Sequence, residues 1–264
     1  MKHQHTLSKL IPRPFRFGST LAALLLLAIA ASSSSGQVLP PNSHPYGYSY
    51  QEWSAKWWQW TLEQSTNHLE LVGAPNLCTG AGTTVRFLAG IYIPGSGGIS
   101  IETRNITIPS GTPLFFPILS VWTDNSGCNG NDLAFTSLTA SELAEEAASI
   151  WTAVTSTTCT IDGVPVAGLS NPATTRYLMA APPFSYTTAA EGNVVANLFG
   201  EPCIPGGLTI YPAVADGVYL MLSPLSVGKH TIHFVGVVGP VSAPFVEDDI
   251  TYNITVAPEH CDGK

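Results

Sequence analysis

Glu102 and Asp124 are the acidic side chains of this sequence whose positions favour catalysis. Glu102 lies in a stretch typical of a β-strand, and Asp124 lies in the loop TDNSGCNGND. Two carboxylates on either side of a cleft can cleave a glycosidic bond, one as acid and the other as base or nucleophile. The pair therefore indicates a carbohydrate-active hydrolase or lyase, although no G-x-S-x-G element accompanies it.

The same loop is rich in oxygen atoms of the kind that bind calcium. Asp124, Asn129 and Asp132 are candidate Ca²⁺ ligands, but their spacing is not that of an EF-hand loop. Asn, Asp and Gly also form turns without any ion. We therefore expect no cofactor, with a calcium ion as the alternative.

His230 and His233 form an H-x-x-H pair in a segment typical of a strand. Side chains alternate between the two faces of a strand, so histidines three residues apart cannot bind one metal ion together. We expect a structural role for each. His230 is also a candidate ligand-binding residue, through a carboxylate partner such as Asp216.

The segment QEWSAKWWQW places four tryptophans between residues 53 and 60. Ser49 and Glu52 form a capping box, which predicts the start of a helix. The apolar stripe of that helix is aromatic: Tyr50, Trp53, Trp57 and Trp60. Such a stripe is typical of core packing, and the alternative is a platform that stacks on sugar rings. Trp58 lies off the stripe, so it is a candidate for ligand contact, together with Trp122 and Asp124.

Segments rich in β-branched and aromatic residues follow, separated by Gly, Pro and Ser clusters. The sequence DG at residues 162–163 predicts a hairpin turn. Residues 114–119 are apolar on both faces, which predicts a strand that runs through the middle of the sheet system. A second helix is predicted over residues 140–155. Together these features predict a mainly β fold, an antiparallel β-sandwich of jelly-roll-like or immunoglobulin-like type with two packed α-helices.

Residues 1–36 have the layout of a secretory signal peptide. Basic residues are followed by an apolar run of eleven residues, Leu21–Ala31, which is too short to span a bilayer. We expect cleavage after Ala30 or Gly36, a secreted or periplasmic protein, and a single domain over residues 37–264. That domain has no stretch apolar and long enough for a transmembrane helix.

Removal of the leader makes the chain strongly acidic. Four of the ten Lys and Arg lie in it, which leaves six against 18 Asp and Glu and a net charge of −12. So few cations cannot neutralise a phosphate backbone, which excludes nucleic acid as a partner. Five cysteines remain: Cys78, Cys128, Cys159, Cys203 and Cys261. In an oxidising compartment they predict two disulfides, of undetermined pairing, and one free thiol.

Four segments in order resemble a family of uncharacterised secreted bacterial proteins: YSYQEWSAKWWQW, FLAG, IPSGTPLFFPIL and ADGVYLMLSPLSVGKHTIHF. The family shares a Tyr-x-x-Trp-x-x-x-Trp-Trp helix and a P-L-x-x-G-x-H-x-I-x-F strand. The resemblance covers residues 46–256 and implies secretion and one domain. It implies no activity.

These observations predict a secreted, non-catalytic binding protein whose partner is an extracellular glycan or another surface. One alternative is the hydrolase or lyase that uses loop carboxylates. The other is a structural component of an envelope or matrix.

Overall fold

Twelve β-strands and three α-helices make up the described part of the chain. The computed structural model describes residues 36–65, 85–90 and 98–258, so the predicted signal peptide lies almost wholly outside the described residues. The helices are α1 (Tyr50–Leu62), α2 (Ala140–Ser149) and α3 (Val194–Asn197). The strands are β1 (Arg86–Phe87), β2 (Ile99–Pro109), β3 (Leu114–Asp124), β4 (Ser126–Asn129), β5 (Asp132–Phe135), β6 (Val154–Ile161), β7 (Val164–Pro165), β8 (Leu178–Ala180), β9 (Phe184–Thr187), β10 (Thr209–Leu222), β11 (Gly228–Val238) and β12 (Val246–Ala257).

The strands form two five-stranded sheets and one short hairpin. Sheet I has the order β1-β3-β10-β8, with β9 also paired to β10, and sheet II has the order β2-β12-β11-β6-β7. Strands β4 and β5 form the hairpin. The mainly β, sandwich-like fold predicted from the sequence is confirmed. Fully antiparallel pairing is wrong, because β1 runs parallel to β3 and β2 runs parallel to β12.

Sheets I and II pack face to face. Phe116 of sheet I stacks on Phe234 of sheet II with ring centroids 5.2 Å apart. Further along, a Cβ atom added to Gly236 of β11 would lie 2.8 Å from the Leu119 Cβ and 2.9 Å from the Ile118 carbonyl oxygen. Only a glycine lets β11 approach β3 this closely.

Helix α1 covers the other face of sheet I. Tyr50 packs edge-on against Phe115, and Phe115 stacks on Tyr219 with ring centroids 5.4 Å apart. Strand β3 is therefore in the middle of three layers, which explains why it is apolar on both faces. Within sheet I it lies between β1 and β10, although β1 pairs only with Leu114 and Phe115. Beyond Phe115 this edge of β3 has no strand partner among the described residues.

The predicted capping box begins α1. The Ser49 hydroxyl accepts a hydrogen bond from the Glu52 amide, and the Glu52 carboxylate accepts one from the Ser49 amide at 2.7 Å. These bonds stabilise the ionised acid and lower the pKa of Glu52. The buried stripe differs from the prediction at one position. Trp58 is buried with Trp53 and Trp57, whereas Trp60 is only half-buried.

Each buried indole of α1 donates a hydrogen bond to a different part of the chain. Trp53 donates to the Pro45 carbonyl at 2.8 Å. Trp57 donates to the Leu88 carbonyl at 2.9 Å, and Trp58 donates to the Tyr219 hydroxyl at 2.9 Å. Burying an indole N–H without an acceptor costs free energy of folding. These bonds therefore hold both the rings and the helix in place.

The second helix is shorter than the sequence predicts. Helix α2 ends at Ser149, a 3₁₀ turn spans Ile150–Thr152, and Val154 already begins β6. The hairpin turn at Asp162 and Gly163 is confirmed, since both residues have positive φ angles, of 51° and 77°. No helix of the described residues combines the length and the apolar character needed to cross a membrane.

The indole hydrogen bonds predict a difference between tryptophans of α1. Trp57→Phe keeps an aromatic ring but leaves the buried Leu88 carbonyl without its donor, so we expect a loss of about 1–3 kcal/mol in unfolding free energy. Trp60→Phe, at a half-buried position of the same helix, is the control and should cost less. Urea unfolding measures both. Equal losses for the two variants would contradict this account of the helix.

Candidate functional site

A partly enclosed cavity of about 320 Å³ lies beside the unpaired edge of β3. Its lining comes from α1, β3, the residues after α3, and the adjoining ends of β11 and β12. Most of the lining side chains are aliphatic or aromatic: Trp57, Trp58, Pro117, Ile118, Leu119, Val121, Trp122, Ile150, Leu198, Phe199, Val238 and Val246. A cavity with this lining is suited to a ligand with a large apolar surface.

Three aromatic rings form one wall of the cavity. Trp122 lies with its ring centroid 5.0 Å from that of Trp58 and 4.6 Å from that of Phe199. The indole N–H of Trp58 is used by Tyr219, and that of Trp122 donates to Asp124 at 3.0 Å. Both rings are therefore held by their polar ends and present carbon surface to the cavity. The structure thus brings together two of the predicted ligand-binding residues, Trp58 and Trp122.

A disulfide joins the two chain segments that carry this wall. Cys128 of β4, just after Trp122, is bonded to Cys203, just after Phe199, across 75 residues of sequence. The Cys128 amide also donates to the Glu201 carboxylate at 2.9 Å. A disulfide that closes a loop of this length contributes about 2–5 kcal/mol to stability.

One of the two predicted disulfides is therefore present. Cys159 is a buried free thiol, and burial raises its pKa to about 12. A thiol with this pKa stays protonated and unreactive near neutral pH. Cys78 and Cys261, the other candidates for a bridge, lie outside the described residues.

Among the residues that line the cavity, two polar atoms are buried and have no hydrogen-bond partner among the described residues. They are Oγ1 of Thr61, on α1, and Oδ1 of Asp248, on β12. Thr61 is 4% exposed. The Asp248 residue as a whole is part-exposed, but its Oδ1 atom is inaccessible to solvent. Unpaired buried atoms of this kind are rare in folded proteins, and they concentrate where a water, ion or ligand binds.

The neighbours of Asp248 in the sheet are residues that leave its Oδ1 atom without a partner. In the sheet it lies between Gly236 of β11 and Ser100 of β2. Gly236 has no side chain, and the Ser100 hydroxyl is buried and also unpaired among the described residues. Neither neighbour donates a hydrogen bond to Asp248 Oδ1. Burial in this place raises the pKa of Asp248 to about 7.

Asp124 lies close to the cavity wall, but its carboxylate is fully used. Oδ1 accepts hydrogen bonds from the amide and the hydroxyl of Ser126, at 2.7 and 2.6 Å. Oδ2 accepts from Trp122 and from the Tyr186 hydroxyl, at 3.0 and 2.8 Å. Burial and the adjacent carboxylate raise the pKa of Tyr186. Asp124 therefore orients Trp122.

The other acidic candidates are separate from this group. Glu102 is part-exposed on β2 of sheet II, so it and Asp124 lie in different sheets, and neither of them lines the cavity. Asn129 and Asp132, the remaining candidate calcium ligands, are exposed and face each other across the β4–β5 hairpin.

His230 is buried in a cluster of its own. Its Nδ1 lies 2.7 Å from an Asp162 carboxylate oxygen, and its Nε2 lies 2.9 Å from the Ser226 carbonyl oxygen and 3.3 Å from the Ser226 hydroxyl. The three residues have the connectivity of a catalytic triad. The shorter Nε2 contact goes to a carbonyl, however, which only accepts, so Nε2 donates there and is not placed to take a proton from the hydroxyl.

The cluster instead ties the β10–β11 connection to the β6–β7 turn, and His230 is paired with Asp162 rather than Asp216. His233 lies on the other face of β11, part-exposed and 2.7 Å from Asp249.

Asp216 is buried on β10, and this burial raises its pKa. Interactions with the Gly217 amide and the Trp151 side chain lower the pKa by a smaller amount. The Trp151 indole nitrogen nevertheless makes no hydrogen bond of ordinary geometry with a described residue.

The sequence pattern did not indicate three of the residues that line the cavity: Thr61, Phe199 and Asp248. For Asp248 a signal was present, because it shares the strand parity of the buried residues Ile250, Tyr252 and Ile254. For Thr61 and Phe199 the pattern carries no such signal. Each of these two residues lines the cavity only because of the tertiary packing of its element.

The raised pKa of Asp248 predicts how stability changes with pH. The folded state binds the Asp248 proton more tightly than the unfolded state, so this residue lowers stability progressively between about pH 4 and pH 7. Asp248→Asn does not titrate and escapes this loss. Because the residue keeps some exposure, we expect the variant to gain about 1–3 kcal/mol on the wild type between pH 4 and pH 8.

Denaturant unfolding across that pH range measures the gain. Asp249→Asn, one residue away on the other face of β12, is the matched control and should show no such gain. A constant difference between Asp248→Asn and the wild type from pH 4 to pH 8 would contradict the burial of this carboxyl group.

Comparisons with known proteins add little to this geometry. No protein-family model matches the chain, and no curated protein matches it. A structural similarity is found to the solution structure of amebosin, with a TM-score of 0.19 and 12% identity, over 60% of this chain and 97% of that chain. A similarity this low supports no conclusion about fold or function.

Proposed function

We propose that this protein is a secreted, non-catalytic binding protein that holds a small, largely apolar molecule in the cavity beside β3. The observation that carries the proposal is a partly enclosed cavity whose lining is mainly apolar and aromatic and also includes Thr61 and Asp248. Among the described residues, Thr61 Oγ1 and Asp248 Oδ1 are buried without a hydrogen-bond partner, and each such atom costs about 1–3 kcal/mol.

The lining favours an apolar ligand over a sugar at this position. A cavity of about 320 Å³ is at the lower end of the range typical of small-molecule sites. Its polar side chains among the described residues are Thr61, Ser120 and Asp248. A sugar of this size would leave several hydroxyl groups unpaired, whereas an apolar body with one or two polar groups would not.

The arrangement of acids supports binding rather than catalysis. Asp248 is the only titratable side chain among the described residues that line the cavity. A glycosidase mechanism requires two carboxyl groups, and the carboxylate of Asp124 is occupied by four donors. The disulfide supports secretion, because such bonds persist in oxidising compartments.

Calorimetric titration with 2-phenylethanol tests the proposal. This probe joins an aromatic ring to one hydroxyl group, and we expect a dissociation constant of about 0.1–1 mM from its size. Val246→Phe places a ring inside the cavity and should abolish binding. Val241→Phe, at an exposed position, is the matched control and should leave it unchanged. No binding to the wild type, or equal binding to Val246→Phe, would refute the proposal.

A glycan is the second candidate ligand, at a different place. A groove of about 380 Å³ on the outer face of sheet II is lined by exposed polar side chains: Asn105, Thr107, Lys229, Asn253 and Thr255. The repeated sequence Asn-Ile-Thr lies in register on β2 and β12, and Asn253 donates to Asn105 at 3.1 Å. This ladder of amides and hydroxyls is suited to hydrogen bonding with a hydroxyl-rich chain.

Co-sedimentation with insoluble cellulose and chitin tests this second candidate. We expect retention of the wild type and loss of retention in Asn253→Ala. Val246→Phe should be retained like the wild type, because its cavity is not involved. Retention of the wild type on neither polymer would exclude the groove as a site for these glycans.

A further inference from the structure

We infer that the cavity selects an organic cation, in which an ammonium group is attached to an apolar body. This inference rests on the proposed function and adds the charge of the ligand to it. It follows from three features of the cavity, namely its charge, its aromatic wall and its hydrogen-bond acceptors.

The first feature is an acidic group without a compensating cation. No Lys, Arg or His is among the described residues that line the cavity. Strand β2 carries Glu102 and Arg104 on the same face of sheet II as Ser100. Arg104 donates hydrogen bonds to the Ala89 carbonyl and the Tyr252 hydroxyl. Strand β11 contributes Gly236 next to Asp248, and β3 contributes uncharged residues. Without its leader the chain carries a net charge of −12, which also attracts cations.

The second feature is the aromatic wall. The faces of Trp and Phe rings carry negative potential, and cations bind over them. The rings of Trp58, Trp122 and Phe199 are held together by the contacts described above, and the two indole N–H groups are bonded outside the cavity. The wall therefore offers an ammonium group aromatic carbon atoms rather than competing N–H donors.

The third feature is the set of acceptors available to the ammonium hydrogens. Asp248 and Thr61 both line the cavity, and a carboxylate and a hydroxyl group can each accept a hydrogen bond. An ammonium group has up to three donors and no acceptor, so it matches these two acceptor groups. A ligand carboxylate would instead face the Asp248 carboxylate.

The state of Asp248 changes when such a ligand binds. In the empty cavity burial favours the protonated acid, with a pKa of about 7. An ammonium group favours the carboxylate, so below pH 7 the bound cation displaces the Asp248 proton to solvent. The affinity for an amine therefore rises as the pH rises to about 7 and then levels off, whereas the affinity for a neutral analogue does not rise.

Three ligands with similar apolar bodies test the inference at pH 8: 2-phenylethylamine, 2-phenylethanol and 3-phenylpropanoate. For the wild type, we expect calorimetry to give at least tenfold tighter binding of the amine than of the alcohol, and the weakest binding for the acid. For Asp248→Asn, we expect the amine to lose this advantage while the alcohol still binds. Thr61→Val should weaken amine and alcohol alike.

The outcomes separate the two proposals. Equal binding of amine and alcohol by the wild type, or an advantage of the amine that persists in Asp248→Asn, would overturn the charge inference and leave the cavity as an apolar site. Tightest binding of the acid would overturn it as well. If none of the three ligands binds, the proposed function fails together with this inference.

Discussion

The structure depends on the need to pair three buried indole N–H groups on one helix. Trp53, Trp57 and Trp58 contribute a large apolar area to the interior, but each also takes a hydrogen-bond donor there. Their acceptors lie in three separate parts of the chain, at Pro45, Leu88 and Tyr219. One position of α1 satisfies all three, so the helix is fixed both along and around its axis.

That position determines where the cavity is. Trp58 and Thr61 lie on the same helix, so fixing the indole also fixes the threonine. On the other side, Gly236 brings β11 close to β3, and Asp248 lies in the sheet between Gly236 and the small Ser100. The cavity is thus the space left where a rigid aromatic helix, an unpaired strand edge and two small residues meet. Its two unpaired polar atoms come from the opposing elements α1 and β12.

The sequence predicted those features that depend on local spacing. The capping box at Ser49 and Glu52, the aromatic helix and the turn at Asp162 and Gly163 all involve residues within four positions of one another. The feature that differs from the prediction involves tertiary position. Trp60 is only half-buried, whereas Trp58 is fully buried because it contacts Tyr219 and Trp122 on distant strands. Apolar residues on both faces of β3 predicted a strand in the middle of the sheet system, and β3 lies in the middle of three layers.

The candidate site was predicted in part for the same reason. Aromatic residues at Trp58 and Trp122 were candidates for ligand contact because of their type, and both line the cavity. Asp124 was a candidate because it is an acid in a loop, but its four donors are not visible in the sequence. The acid that does face the cavity, Asp248, lies between two other acids in the sequence Glu247-Asp248-Asp249. Only strand parity separates it from its neighbours, and only the register with Gly236 and Ser100 shows that it has no partner.

The most direct measurement of the central claim is a crystal structure of the protein purified from its natural source. This account predicts electron density for a bound organic molecule against Trp58 and Trp122, with polar atoms within hydrogen-bond distance of Thr61 Oγ1 and Asp248 Oδ1. A cavity filled by the protein's own side chains, with both atoms paired to other protein groups, would contradict it.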